Sequence, residues 1–172
     1  MNRLVVFDLE TTGLYPENGD MILEIAGIPV VDDLVEISQS FHTYVNPGTQ
    51  IPEEATQINN ITDEMVKNAP PIGEALPRFF RYIQEFPLVA HNAGFDIGFI
   101  DYFSDLHGLA RIKNRVIDTL ALSKEIFPLS MYHSLDAVLE RLGIPFRKED
   151  RHGALEDARL TALAFIAMKS RL

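Results

Sequence analysis

The stretch Leu4-Val5-Val6-Phe7-Asp8-Leu9-Glu10-Thr11-Thr12-Gly13 decides how this chain is read. An apolar run ends in two carboxylates one residue apart. Side chains alternate faces along a β-strand, so Asp8 and Glu10 point the same way while Phe7 and Leu9 enter the opposite layer. Two carboxylates on one strand face make half a site for hard divalent cations, which take oxygen ligands. Taken alone, the pair reads equally well as two solvated acids at a strand end.

Two further segments supply what the first lacks. His91-Asn92-Ala93-Gly94-Phe95-Asp96 follows a second apolar run, Leu88-Val89-Ala90, which places Asp96 just inside a helix behind a strand end. Arg151-His152-Gly153-Ala154-Leu155-Glu156-Asp157 puts His152 in a loop and Asp157, five residues later, in the next helix. Asp8, Glu10, Asp96 and Asp157 then share one site with one imidazole. Crowded carboxylates repel, so without counter-ions such a site is strained or partly protonated. Two divalent cations balance four carboxylates, and a two-metal centre is the natural reading.

In the segments FDLETTG, HNAGFDIGF and RHGALEDA, in that order, the chain resembles the DnaQ-like (DEDDh) 3′–5′ exonucleases. Within that family it is most similar to the proofreading epsilon subunit of bacterial DNA polymerase III. The resemblance runs from Val5 to about Ala164 and falls in the histidine branch, because His152 stands five residues before the last aspartate and Gly153 stands where the other branch has tyrosine. It implies a ribonuclease H-like fold. One departure is visible: Asn59-Asn60 precede Ile61-Thr62 where relatives often carry His-Gly. No catalytic role attaches to that spot.

Composition sets limits. A chain of 172 residues suits one exonuclease domain over residues 1–172, long enough to bury roughly two thirds of its unfolded surface. Neither an apolar run of membrane-spanning length nor a basic-then-apolar leader is present, so no membrane association and a cytoplasmic location are expected. Cysteine is absent, which leaves oxygen and imidazole as the strong metal ligands. The formal charge of −10 sits awkwardly with a nucleic-acid substrate, whose affinity ordinarily comes from Lys and Arg. Two dications would offset only part of it. A short footprint follows: a few nucleotides at a strand end rather than a long charged track.

Strand patterns at Leu4–Leu9, Ile22–Val31 and Ser38–Val45 suggest an antiparallel meander. Ile51–Asn60 reads as irregular or a short helix, and Thr62 as the cap of a helix over Asp63–Asn68. A helix over Gly73–Glu85 tolerates Pro77 only near its first turn. Then follow a strand at Leu88–Ala90, a helix near Phe95–Leu106, a strand at Arg115–Ile117, and helices near Thr119–Ile126, Ser134–Leu142 and Ala154–Lys169. The expected fold class is α/β, a mixed five-stranded sheet flanked by helices, with the first strand central and the ligand site where strand order switches. Fifteen residues follow Asp157, too few for an appended polymerase tether.

The expected chemistry is phosphodiester hydrolysis with two Mg²⁺ or Mn²⁺ ions. Asp8 is assigned as the ligand shared by both ions, Glu10 and Asp157 as further ligands of one, and Asp96 as a ligand of the other, directly or through water. His152 is assigned as general base, since imidazole titrates near neutrality. Thr11, Thr12 and Gly13 offer backbone amides to a terminal nucleotide, with Gly13 permitting close approach. Leu14 and Phe95 are candidates to wedge against or stack on the last bases, and His91 and Asn92 to meet sugar or phosphate. His42, His107 and His133 read as ordinary exposed histidines. The loop before His152, with Arg147, Lys148 and Arg151 among acids, reads as solvated, its cations being the nearest candidates for phosphate contact.

The partner expected is therefore the 3′ end of single-stranded or frayed DNA, with a DNA polymerase subunit as a second partner. An RNA-trimming exonuclease is the alternative within the same chemistry. A catalytically silent interaction module is the alternative from another class, but it would be expected to have lost one of the five site residues. None is lost.

Overall fold

The computed structural model describes residues 3–171. The central strand β1 (Arg3–Thr11) pairs antiparallel with β2 (Ile22–Val31) on one side and parallel with β5 (Leu88–Ala90) on the other; β5 continues parallel into β6 (Val116–Asp118). The short strands β3 (Leu34–Val35) and β4 (Phe41–Tyr44) both pair antiparallel with the outer edge of β2. The mixed sheet thus has the order β3-β2-β1-β5-β6, with β4 beside β2. Five strands match the sequence reading. The sixth, β3, is a two-residue strand returned by a tight hairpin whose turn residues Asp32 and Asp33 both take positive φ (49° and 64°), the geometry a two-residue hairpin turn requires.

Helices cover both faces. Val5, Phe7 and Leu9 pack with α3 (Ile72–Ile83) and α4 (Ala93–Leu106) through Leu76, Phe79, Ile83, Phe99, Ile100 and Phe103. Val6 faces the other way, onto Ala162 and Phe165 of α7 (Ala154–Lys169), with Val30 and Val89 in the same layer. The period of two along β1 therefore carries Asp8 and Glu10 to the α7 side. A second apolar layer on α7, Leu160, Ala164 and Met168, holds Leu135, Val138 and Leu139 of α6 (Leu135–Leu142), and α5 (Thr119–Ile126) adds Leu122. The short helices α1 (Glu53–Asn59) and α2 (Asp63–Val66) close a small cluster over Leu23 and Ile51.

Two local expectations change. Pro77 is the sixth residue of α3, past the first turn, so the helix forgoes the hydrogen bond to the Gly73 carbonyl; burial of Leu76 and Phe79 beside it offsets that loss. Thr62 is the N-cap of α2, but its side chain makes no capping hydrogen bond. Ser134 does cap α6, accepting from the Ala137 amide at 3.3 Å. Among the described residues no helix is long and apolar enough to cross a membrane.

Candidate active site

Asp8 and Glu10 stand at the C-terminal end of β1 and Asp157 in the first turns of α7, and oxygens of the three carboxylates all lie within 4.8 Å of one another. The strand ladder to β2 is regular through Glu10↔Glu24 and then shifts register between Glu10 and Thr11. Pairing resumes past this irregularity at Thr11↔Ile22, so the two carboxylates lie beside a β-bulge. Asp96 lies behind this cluster, buried in the first turn of α4, and its Oδ1 accepts the Leu9 amide at 3.1 Å. Its charge still reaches Asp8 and Glu10.

The electrostatics show what the carboxylates lack. Burial, then the neighbouring Asp96 and Glu10, pushes the Asp8 carboxyl well above its ordinary range, with Arg151 opposing. Glu10 is pushed up to about 8 by burial and by Glu24, and Asp96 to about 8 by burial, against the hydrogen bond from Leu9. Acids this reluctant to ionise side by side, with convergent oxygens and no sulfur ligand in reach, fit hard divalent cations. Asp8, Glu10 and Asp157 are the donors that converge, and Asp96 is the fourth acid beside them.

His152 sits in the loop before α7 with φ of 67°, exposed, and its imidazole pKa is lowered by burial and by Arg151. It lines a cleft of about 440 Å³ with Asp8, Asp157, His91, Asn92 and Arg151. His91 bonds Thr119 Oγ1 through Nδ1 at 2.9 Å, and burial lowers its pKa. Asn92 takes a left-handed φ of 64°, and its amide donates to Asp118 Oδ1 at 2.9 Å. Asp118 also caps α5 by accepting the Leu120 amide. The turns after β5 and β6 are thereby fixed to each other.

The remaining expected residues divide. Leu14 is 65% exposed at the edge of the loop after β1. Thr12 is tied to Met21 in both directions, its amide donating to the Met21 carbonyl at 2.8 Å and its hydroxyl accepting the Met21 amide at 2.9 Å; the Thr11 hydroxyl donates to the Gly13 carbonyl at 2.6 Å. Gly13 has a second reason to be glycine: a Cβ there would lie 2.3 Å from the Asp20 carboxylate, which accepts the Tyr15 amide. Phe95 is half-buried, its ring 5.0 Å from Phe99 at the margin of the core.

Several residues take places that the sequence did not suggest. Arg151 is buried, bonded through Nε to Asp136 and ion-paired through a terminal nitrogen with Asp157, so it faces inward rather than into solvent. Arg147, by contrast, is exposed and pairs with Glu149 and Asp150. Glu24 is 4% exposed, and its only signal was a carboxylate set in the apolar run Ile22-Leu23-Glu24-Ile25-Ala26. His42 binds it at 2.6 Å. His133 also lines the cleft, bonded to Ser123 Oγ at 2.8 Å. At the departure from the family pattern, Asn60 adopts the left-handed φ (58°) that glycine or asparagine accommodates at a helix end, while the buried Asn59 amide donates to the Thr11 carbonyl at 3.2 Å.

Known proteins similar to this chain share its family and its fold. The family model described as exonuclease, of the RNase T group, matches residues 5–165. The chain is 44% identical over 171 residues to a DNA polymerase III subunit epsilon-like protein of Rhodobacter capsulatus, covering 97% of this chain and 24% of that one. It is 41% identical over 162 residues to a PolC-type DNA polymerase III of Clostridium perfringens, covering 94% of this chain but 11% of that one. A DNA polymerase III subunit epsilon of Rickettsia typhi is 36% identical over 170 residues, covering 96% of this chain and 73% of the relative. Among solved structures, exonuclease X in complex with 5′ overhanging duplex DNA is 27% identical with a TM-score of 0.75, covering 97% of this chain and 91% of that one. The nuclease domain of 3′hExo, a DEDDh family member bound to rAMP, is 19% identical with a TM-score of 0.86, covering 98% and 92%, and shares the fold. With its mixed sheet and its acidic motifs in this order, the chain belongs to the exonuclease family of that model and is similar to the epsilon subunit of DNA polymerase III.

Proposed function

We propose that this protein removes nucleotides one at a time from the 3′ end of single-stranded or frayed DNA. The observation that carries the reading is the convergence of Asp8, Glu10 and Asp157 within 4.8 Å, with Asp8 and Asp157 lining a cleft that His152 also lines. Asp8 would be shared by two divalent cations, Mg²⁺ or Mn²⁺, with Glu10 and Asp157 completing one and Asp96 serving the other directly or through water. When bound, such ions neutralise charge on the phosphoryl group and stabilise the leaving oxygen.

The chain's own residues do the rest. His152, neutral because burial and Arg151 disfavour its cation, takes a proton from the attacking water. The new P–O bond forms as the bond to the 3′ oxygen breaks, releasing a nucleoside 5′-monophosphate and leaving a 3′ hydroxyl, which takes its proton from solvent. His91 and Asn92, fixed through Thr119 and Asp118, would meet the terminal sugar or phosphate. Thr11, Thr12 and Gly13 would present the backbone after β1, and Leu14 would press on the last base. Phe95 would support that base from the core margin. A net charge of −10 favours a grip of a few nucleotides. Work on frayed ends suits proofreading, and epsilon-type relatives favour association with a polymerase in the cytoplasm.

The test is cleavage of matched 5′-labelled DNA and RNA oligomers with Mg²⁺ or Mn²⁺. The reading expects a descending ladder from the DNA 3′ end with nucleoside monophosphates as product, and slower loss of RNA. Faster trimming of RNA would move the substrate class to RNA ends, and no cleavage of either would overturn the reading.

A further inference from the structure

A buried carboxylate beside metal ligands is costly, yet Glu24 is one. It lies directly opposite Glu10 in the β1–β2 ladder, is 4% exposed, and its charge adds to the repulsion that Glu10 already feels. Its two oxygens are both used. Oε2 accepts the Ala154 amide, the first of α7, at 3.0 Å, and Oε1 bonds His42 Nε2 at 2.6 Å. The N-cap of α7 is Gly153, which has no side chain to cap with, so the acceptor comes from another strand altogether. His42 reaches it from β4, where the ring also packs edge-on against Tyr44 at 5.2 Å.

The consequence is geometric. Asp157 lies in the opening turns of α7, its own amide bonded back to the Gly153 carbonyl at 2.9 Å, so whatever fixes the first residue of this helix fixes Asp157. Glu24 ties that first residue to β2, and through the ladder to Glu10. We infer that Glu24, held by His42, is a positioning residue: it sets the start of α7 so that the Asp157 carboxylate meets Asp8 and Glu10. Partners behind metal ligands commonly fix ligand orientation in this way. The inference rests on the metal-binding reading above.

The test is Mn²⁺ binding to the metal-free full chain, without substrate, by titration calorimetry, with thermal midpoints measured in parallel. Glu24→Ala should weaken Mn²⁺ binding by about 10–100-fold. Glu24→Gln keeps an oxygen for Ala154 and a polar group for His42, and should stay within about threefold of wild type, a rescue that general loss of structure would not show. His42→Ala, a change at a half-exposed residue that keeps the fold testable if Glu24→Ala does not fold, should weaken binding severalfold while the metal-free chain still unfolds in one cooperative transition. Wild-type affinity in Glu24→Ala, or in His42→Ala, overturns the inference alone. Equal losses in Glu24→Gln and Glu24→Ala overturn it too, since charge rather than position would then be at work. Absence of Mn²⁺ binding by the wild type would sink the metal reading and this inference with it.

Discussion

Arg151 and Asp157 form a buried ion pair in the lining of the cleft, and the same guanidinium reaches Asp136 on α6. One cation therefore lies against the acidic cluster from within the chain, and it opposes the upward shifts at Asp8 and Glu10. Arg151→Met keeps the stem and removes that charge. Loss of one partner of a buried pair costs on the order of 3 kcal/mol, so the metal-free variant should melt at a clearly lower temperature. Mn²⁺ should recover part of the loss by supplying positive charge to the same carboxylates. Calorimetric midpoints with and without Mn²⁺ check both statements, and an unchanged metal-free midpoint would show that the pair contributes nothing.

Stability of the metal-free protein should fall as pH rises. Glu10 moves from an ordinary 4.5 up to about 8, and Asp96 from 3.8 up to about 8. A group whose folded pKa is raised holds a proton that the unfolded chain releases. Its contribution is full below about 4 and is lost as pH climbs through about 8. Thermal midpoints should therefore drop from pH 6 to pH 9 without metal and much less with Mn²⁺. Binding at pH 7 should also release protons, read as a heat that changes with the ionisation enthalpy of the buffer.

For His152 the lowered pKa moves the acid limb of the kcat/KM profile below the ordinary imidazole range. His152→Ala should reduce kcat by about 10²–10⁴-fold and abolish that limb. Its Mn²⁺ affinity should stay near wild type. Affinity that collapses together with rate would make His152 a ligand rather than a base.

The charge of −10 predicts weak salt dependence. A single strand gives a slope of log K against log salt near −0.7 per phosphate neutralised, so two or three contacts give roughly −1 to −2. Binding of a short strand with Ca²⁺ replacing the catalytic metal measures it. A slope of −4 or beyond would reveal a far longer track. Mismatched 3′ ends should also be cut faster than paired ones, because fraying a paired end costs a few kcal/mol.

What could be read from the sequence was whatever depends on local periodicity. Alternation along β1 separates Val5, Phe7 and Leu9 from Val6, Asp8 and Glu10, and the two layers of the sheet follow it. The segment before α7 likewise shows His152 and Asp157 at a spacing that one loop and one helical turn bring to the same cleft. What could not be read depends on pairings between distant elements. Glu24 and His42 meet only because β4 lies beside β2, and Ala154 joins them from 130 residues away. Arg151 looks like one cation in a mixed loop until α6 brings Asp136 against it. Gly13 suggests close approach of a ligand, yet the group a side chain there would displace is the Asp20 carboxylate, across a turn that no motif announces. At α3, burial of Leu76 and Phe79 overrides the preference that would have kept Pro77 in the first turn.

The most direct test of the central claim is the rate at which a 5′-labelled single strand shortens from its 3′ end in Mg²⁺, compared between wild type and Asp8→Ala. If Asp8 is the ligand shared by two metal ions, the wild type produces a ladder that vanishes in excess chelator, and Asp8→Ala produces none under any metal. Full turnover in chelator, or a wild-type rate from Asp8→Ala, would contradict the account.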